Sequence, residues 1–268
     1  MDIKDTLQCH LAEVSNDLSK DSTFFAIMLY GSQNYGLDTP TSDLDTKLMI
    51  VPGVKDLVLG RKMYSKDKEM SDGGICAAKD YRLMFNSYCK GNINFVETLF
   101  TPWYIYNPLF KEEFLDLLAH RDLIANSDPV RLIKMALGMA KNKYAMMEHA
   151  FPTKTELIEK YGYDPKQLHH LARLDFFAAT YLEKLDFGVC LHPTDSQKEY
   201  LNKLKTEPPN LEEARTSAEV HIEFLMRSYE RAQERFVDFP VKDKAREIKE
   251  FFEDLIVRIF NKTLYAEK

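Results

Sequence analysis

The chain has 268 residues, of which 45% are hydrophobic and 12% aromatic, and its formal net charge is −6. This length suits one large domain or two of ordinary size, with enough apolar residues for a core. The sequence contains no run of 18 apolar residues, so we expect no membrane span. The acidic balance does not favour extended nucleic-acid binding, although it leaves room for a local basic groove.

Cysteine usage and the N-terminal residues both indicate a cytoplasmic protein. The first 15 residues lack a basic region followed by an apolar core, so we expect no signal peptide. The four cysteines are scattered and show no Cys-x-x-Cys spacing. We therefore expect reduced thiols and no zinc site.

The first predicted elements surround one short motif. Residues 2–20 carry apolar side chains at helical spacing, and residues 24–30 form an apolar run that predicts a buried strand. The pair Gly31-Ser32 follows directly, and then come a short helix and the turn-rich sequence DTPTS. A second strand is predicted at residues 46–51.

Two carboxylates precede this second strand. Asp43 and Asp45 are two residues apart, so in an extended chain their side chains point the same way. They would project just across a short connection from Gly31 and Ser32, whose backbone N–H groups suit a phosphate. Carboxylates that close repel each other unless a cation joins them, and Mg²⁺ favours one or two carboxylates together with substrate phosphates. The spacing therefore indicates a metal and phosphate site.

The sequence GSQNYGLDTPTSDLD, residues 31–45, resembles the signature of the DNA polymerase β-like nucleotidyltransferase superfamily, and within it a bacterial and phage subgroup of predicted nucleotidyltransferases. That signature is a Gly-Ser turn after a strand, followed by Asp-x-Asp on the next strand. The resemblance implies metal-dependent nucleotidyl transfer. It assigns Asp43 and Asp45 to catalysis and metal binding, and Gly31 and Ser32 to the nucleotide phosphates.

A third acidic residue is predicted further along the chain. A helix is expected at residues 80–90, with Asp80 as its N-cap, and the β-rich run at residues 93–100 predicts a strand. Glu97 is the lone charge in that run, and a buried charge is costly unless it is paired or metal-bound. The superfamily carries a third carboxylate on a later core strand, so the resemblance implies this catalytic and metal-binding role for Glu97. Asp72 and Asp80 are the rival positions, and a solvent-facing glutamate at a strand end is the alternative.

The remaining pattern predicts an α+β protein with two domains. An irregular connection with a short helix is expected at residues 54–73, a short strand at 75–78 and a linker at 103–107. Beyond the linker, helical patterns occupy residues 108–120, 128–149, 153–160, 165–186, 194–205, 210–237 and 241–264. We therefore predict a nucleotidyltransferase-type mixed α/β domain with a small sheet at residues 1–107. An all-helical domain at residues 108–268 would complete the cleft for the nucleotide and the substrate.

A second constellation lies in this helical half. Lys166, His170 and Arg173 are spaced i, i+4 and i+7, so they share one helix face, whereas His169 is expected on a different face. Such a row suits a triphosphate, because arginine grips phosphate in a fork and lysine acts as a point charge. The alternative is a solvated basic stripe with a core histidine. The same subgroup shows a similar Tyr-Asp-x-Lys-x-x-x-His-Leu-x-Arg-Leu pattern, which favours nucleotide binding. Lys141 and Lys143 on another long helix are weaker candidates that could line the same cleft.

Together these patterns predict an NTP-dependent nucleotidyltransferase that uses two Mg²⁺ or Mn²⁺ ions and transfers an NMP, for example from ATP, to an acceptor hydroxyl. The acceptor stays open between a small molecule, a protein and an RNA end. The alternative is a catalytically inactive module on the same fold that senses nucleotides or binds a partner. The sequence does not specify the base, the oligomeric state or the pathway.

Overall fold

A computed structural model describes residues 2–39, 42–149 and 155–266 of the chain. The strands are β1 (Thr23–Tyr30), β2 (Asp45–Val51), β3 (Ser65–Glu69), β4 (Ile75–Asp80) and β5 (Tyr104–Tyr106). The helices are α1 (Ile3–Ser15), α2 (Ser32–Tyr35), α3 (Val54–Val58), α4 (Tyr81–Cys89), α5 (Ile93–Val96), α6 (Lys111–Ala119), α7 (Arg121–Ala125), α8 (Pro129–Met146), α9 (Thr155–Tyr161), α10 (Pro165–Lys184), α11 (Phe187–Cys190), α12 (Asp195–Thr206), α13 (Leu211–Arg235) and α14 (Val241–Ala266). Two 3-10 turns span Glu97–Leu99 and Pro108–Phe110.

The chain divides into two compact units, and the α+β class is confirmed. Unit 1 comprises Met1–Ser127 together with Pro240–Lys268, and unit 2 comprises Asp128–Phe239. The sequence predicts a boundary near residue 107, but α6, α7 and α14 pack within unit 1. Among the described residues, no helix has an apolar stretch long enough to cross a membrane.

Unit 1 is built on a mixed five-stranded sheet with the order β3-β4-β2-β1-β5. Strands β2 and β4 are parallel, and the other neighbouring strands are antiparallel. Ile27, Leu48 and Ala78 lie side by side across β1, β2 and β4. They share a buried core with Leu7 and Val14 of α1, which therefore covers this face of the sheet.

The opposite face of the sheet carries both apolar and polar residues. Side chains alternate along a strand, so the neighbours of the core residues point away from α1. Met28, Lys47, Ala77 and Asp67 lie at one level across this second face. Helix α4 packs against β2 and β4, and α5 packs against α4.

The C-terminal helix α14 belongs to unit 1 although the chain reaches it only after unit 2. Phe252 stacks on Phe85 of α4, with ring centroids 4.7 Å apart. The Lys262 ammonium lies 2.8 Å from the buried Glu113 carboxylate of α6. These contacts join the C-terminal segment of unit 1 to the segment that precedes unit 2 in the chain.

Unit 2 consists of helices α8 to α13, with α10 packed against α8, α12 and α13. Asp128 and Asp164 cap α8 and α10, and each is followed by proline at the first helical position, where a missing N–H costs nothing. Thr194 and Asn210 open α12 and α13 with capping boxes. The helix predicted at residues 153–160 is present as α9, although its first two residues lie outside the described part of the chain.

Candidate functional site

The Gly31-Ser32 turn lies against the start of β2. Gly31 has φ +97°, a conformation that disfavours any residue with a Cβ. The Asn34 N–H donates to Gly31 O over 3.0 Å, which closes the turn into α2. A Cβ placed on Gly31 would lie 3.9 Å from Asp45 Oδ2. The turn predicted to bind phosphate and one of the predicted metal ligands are therefore neighbours.

We call residues 42–45 the carboxylate segment. Asp45 is the first residue of β2 and pairs with Tyr30, while Asp43 is exposed just before it. The Ile75 N–H donates to Asp45 Oδ1 over 2.9 Å. On the other side of the segment, Gln33 Nε2 donates to the Asp43 carbonyl over 3.0 Å. Both ends of the segment are thus held, and the Asp43 carboxylate reaches solvent.

A tight turn at residues 70–74, here named the glycine turn, supports this segment from the β3–β4 connection. Gly73 has φ +89°, and a Cβ on it would lie 3.8 Å from Asp43 Oδ1. A Cβ on Gly74 would lie 2.2 Å from Leu44 O, a clash with the backbone. Only glycine at position 74 lets the turn approach the carboxylate segment this closely.

The glycine turn is anchored by a buried histidine that the sequence does not single out. His10 Nδ1 lies 2.9 Å from Thr46 Oγ1, and His10 Nε2 lies 3.1 Å from Asp72 Oδ1. Burial alone would raise the pKa of the Asp72 carboxyl, but hydrogen bonds from the Gly74 N–H and from His10 outweigh it and lower that pKa. Asp72 therefore holds the turn in place. Its partner His10 lies 62 residues away in the chain, so no local pattern reveals the contact.

Glu97 does not lie on a strand, so the strand predicted at residues 93–100 is wrong. The segment forms α5 and then the 3-10 turn Glu97–Leu99. Asn92 caps this helix by accepting from the Asn94 N–H over 3.2 Å, and its carbonyl accepts from the next turn. This short segment is rich in β-forming residues but is helical, because Asn92 caps a helix at its start and tertiary packing outweighs the local strand preference.

A buried lysine shares this side of the sheet with Glu97. Lys47 is 4% exposed, and its Nζ lies 3.3 Å from the centroid of the Tyr30 ring. Burial lowers the Lys47 pKa to about 8, and the nearby charges of Glu97 and Asp45 partly oppose that effect. Burial, Asp45 and Glu97 all raise the pKa of the Tyr30 hydroxyl. These four residues therefore share one electrostatic environment.

Metal binding by Asp43 and Asp45 stays a prediction. The two residues lie just before and at the start of β2, and carboxylate oxygens are the donors that Mg²⁺ takes with substrate phosphates. Within the described ranges, no three acidic, histidine or cysteine side chains are grouped closely enough to hold a metal ion. Asp80, a rival for the third position, accepts three hydrogen bonds from Arg82 and caps α4 as predicted. The metal-binding role of Glu97 stays a prediction.

The second constellation is present on α10 in unit 2. Lys166 is exposed on the first turn and Arg173 is buried two turns later, with His170 between them. Burial lowers the His170 pKa well below its ordinary value, and His169, Arg173 and Lys143 act in the same direction. The imidazole is therefore neutral at pH 7.

Three further residues lie near this row: Lys143, His169 and Lys205. Burial lowers the pKa of Lys143 on α8, and the charges of Arg173 and Lys166 lower it further. His169 does not lie apart from the row, because the charges of Lys205, Arg173 and Lys166 all act on its imidazole. An i to i+3 step from Lys166 keeps His169 on the same side of the helix.

Comparison with known proteins adds no family to these observations. No protein-family model matches the chain, and no match to a curated protein was found.

Proposed function

We propose that the protein is a metal-dependent nucleotidyltransferase that moves an NMP from an NTP to an acceptor hydroxyl. The observation that carries this proposal is the meeting of the Gly31 turn with Asp45, beside a second exposed carboxylate, Asp43. Backbone N–H groups at such a turn suit phosphate, and the carboxylates suit the metal that accompanies it. The resemblance of residues 31–45 to nucleotidyltransferases agrees with this chemistry.

In the proposed reaction the acceptor oxygen attacks the α-phosphorus of the NTP. A new P–O bond forms to the acceptor, and the bond between the α-phosphorus and the bridging oxygen breaks. Pyrophosphate leaves with that electron pair, and the acceptor proton passes to a carboxylate, for which Asp43 and Asp45 are suited. Mg²⁺ or Mn²⁺ bound there would neutralise phosphate charge and orient the reacting oxygens.

The other predicted residues take supporting roles in this proposal. Gly31 and Ser32 bind the β- and γ-phosphates, and Glu97 adds the third carboxylate. On α10, Lys166 and Arg173 offer positive charge to nucleotide phosphates, and the neutral His170 offers a hydrogen bond. The acceptor stays open between a small molecule, a protein hydroxyl and an RNA end.

One observation favours a second candidate, a protein that binds nucleotides without transferring them. The Lys47 ammonium lies near the buried Glu97 and partly balances its charge, so Glu97 has a role that needs no metal. A carboxylate occupied in this way is less available as a third ligand. Nucleotide binding at Gly31, Asp43 and Asp45 would remain possible.

Labelled NTPs separate the two candidates. The protein is incubated with each α-labelled NTP, Mg²⁺ or Mn²⁺ and a cell extract, and both the labelled product and pyrophosphate are measured. We expect label transfer that Asp43→Asn and Asp45→Asn abolish, while the exposed variant Asp38→Asn retains it. Metal-dependent NTP binding with no label transfer would instead support the binding protein. Transfer undiminished in both active-site variants would contradict the assignment.

A further inference from the structure

Three side chains in unit 2 form a hydrogen-bonded row that the proposed reaction does not use. Asp175 lies on α10, His221 on α13 and Tyr200 on α12. His221 Nδ1 lies 2.8 Å from Asp175 Oδ2, and His221 Nε2 lies 3.0 Å from the Tyr200 hydroxyl oxygen. A hydroxyl that contacts an imidazole, which in turn contacts a carboxylate, is the arrangement of an activated nucleophile.

The chemistry of the partners fixes the direction of each hydrogen bond in this row. A carboxylate oxygen only accepts, so His221 Nδ1–H donates to Asp175, and in the neutral imidazole Nε2 is left as the acceptor. The Tyr200 hydroxyl therefore donates to His221 Nε2. Its oxygen accepts in turn from the Ser217 hydroxyl, 3.1 Å away. The phenolic proton thus points at a base whose opposite nitrogen is held by a carboxylate.

The row is buried at the carboxylate and opens toward solvent at the hydroxyl. Asp175 and His221 are both buried, whereas Tyr200 and Ser217 are only partly buried. Phe176 of α10 contacts both rings edge to face, with its centroid 5.8 Å from that of Tyr200 and 5.7 Å from that of His221. This apolar ring keeps the imidazole and the phenol in register, and a low local dielectric strengthens their hydrogen bond.

We propose that Tyr200 is a nucleophilic hydroxyl that accepts the nucleotidyl group, with His221 as its general base and Asp175 as the group that orients the base. This assignment rests on the proposed function for the donor, and it narrows the acceptor to a tyrosine hydroxyl of the chain itself.

The step balances without any further reactant. The Tyr200 oxygen attacks the α-phosphorus of the NTP and forms a new P–O bond, while pyrophosphate leaves with the electron pair of the bond that breaks. For this acceptor the proton passes to His221 Nε2 instead of to Asp43 or Asp45. The Asp175 carboxylate then stabilises the imidazolium that results.

A fluorophosphonate probe tests the activation of Tyr200 without any transferase activity, because its phosphorus reacts directly with activated hydroxyls. The full-length protein is incubated with the probe, and peptide mass spectrometry follows each tyrosine. Tyr200 should react about tenfold faster than Tyr229 or more, because Tyr229 of α13 is also partly buried but is the matched tyrosine outside the row.

The variant His221→Gln separates a base from a packing group. Glutamine keeps a donor and an acceptor at this position but takes up no proton, so the rate at Tyr200 should fall to that at Tyr229. The melting temperature reports whether the variant is folded. A network that only packs the helices predicts equal rates at the two tyrosines in the wild type, a comparison that needs no variant.

Labelled ATP and Mg²⁺, without cell extract, test Tyr200 as the acceptor. Label from the α position should appear on the peptide that contains Tyr200, whereas label from the γ position should leave with pyrophosphate. Tyr200→Phe keeps the ring and should lose the label, and the control Tyr229→Phe should retain it.

Three results would overturn the proposal. They are equal rates of Tyr200 and Tyr229 with the probe, label on Tyr200 from the γ position, and label transfer to a component of the extract while Tyr200 stays unlabelled. The proposed function fails separately. Fast reaction of Tyr200 with the probe, together with no label transfer to any acceptor, contradicts the transferase and supports Tyr200 as a nucleophile.

Discussion

At the scale of single residues, Gly74 sets how closely the glycine turn approaches the carboxylate segment. A Cβ at this position would lie 2.2 Å from Leu44 O and 3.1 Å from Leu44 C. Both are backbone atoms, so no side-chain rotation relieves the clash. Leu44 separates Asp43 from Asp45, and a displacement here moves both carboxylates.

We predict that Gly74→Ala destabilises the protein by about 1–3 kcal/mol and lowers transfer activity, because the turn must move away from Leu44. Urea denaturation and label transfer measure the two effects. The control is Gly138→Ala in α8, where a Cβ meets nothing within 4 Å. That variant should gain about 0.5–1 kcal/mol from helix propensity. Equal stability of the two variants would contradict the close approach at Gly74.

His169 gives a prediction about pH. In the unfolded chain its imidazole takes up a proton near pH 6.5, whereas in the folded protein it stays neutral down to about pH 2. The unfolded state therefore binds more protons in acid, and stability falls as the pH drops below 6.5. Relative to His169→Leu, the wild type should lose about 2 kcal/mol of unfolding free energy between pH 7.5 and pH 5.

Denaturant titrations of the wild type and of His169→Leu at each pH measure this difference. The comparison removes the contribution of groups that titrate alike in both proteins. His192→Leu, at an exposed histidine, controls for the substitution itself. A gap between wild type and His169→Leu that stays constant from pH 7.5 to pH 5 would show that His169 is not held neutral.

At the scale of elements, local sequence predicts the central strands and fails at the edges. β1 is almost entirely apolar and β2 ends in the apolar run Leu48 to Val51, so the apolar pattern is enough to assign both strands. The edge strand β3 reads SKDKE and is mostly exposed, so only its pairing with β4 reveals it. Glu97 lies on a helix and turn because the Asn92 cap outweighs the strand-forming residues that follow it.

The packing of α10, α12 and α13 includes a buried polar network. His221 Nδ1 lies 2.8 Å from Asp175 Oδ2, and His221 Nε2 lies 3.0 Å from the Tyr200 hydroxyl. Asp175 and His221 are both buried, so breaking one partner leaves the other unsatisfied. The network connects the three helices through a single imidazole.

A double-mutant cycle of Asp175→Ala and His221→Ala should show a coupling energy of about 1–3 kcal/mol. The reason is that each single variant leaves the other buried side chain without its hydrogen-bond partner. The exposed pair Glu223–Arg227 on α13 serves as the control cycle, since its coupling should be about 0.3–0.5 kcal/mol. Chemical denaturation provides all the values. If the coupling energy of the buried cycle is no larger than that of the exposed cycle, the buried network does not stabilise the packing of the three helices more than a surface ion pair would.

At the scale of the whole molecule, contacts between residues far apart in the sequence hold the candidate site and define the units. Composition does not reveal these contacts. The motif residues Gly31, Asp43 and Asp45 are found from sequence because they lie within 15 residues of one another. The Ile75 N–H that holds Asp45 is 30 residues away, and His10 is 36 residues from Thr46. The unit boundary is missed for the same reason, since α14 resembles the preceding helices in composition but packs with unit 1.

The return of α14 to unit 1 gives the last prediction. Phe252 is buried and stacks on both Phe85 and Tyr88 of α4. We predict that Phe252→Ala destabilises unit 1 by about 3–5 kcal/mol, because it removes a large buried ring and leaves a cavity. Amide hydrogen exchange followed by mass spectrometry locates the effect, which should appear as faster exchange in β1, β2 and α4. Phe224→Ala, at a half-exposed ring on α13, should change exchange in unit 1 little. Unchanged protection of β1 and β2 in Phe252→Ala would show that the sheet of unit 1 is stable without this helix.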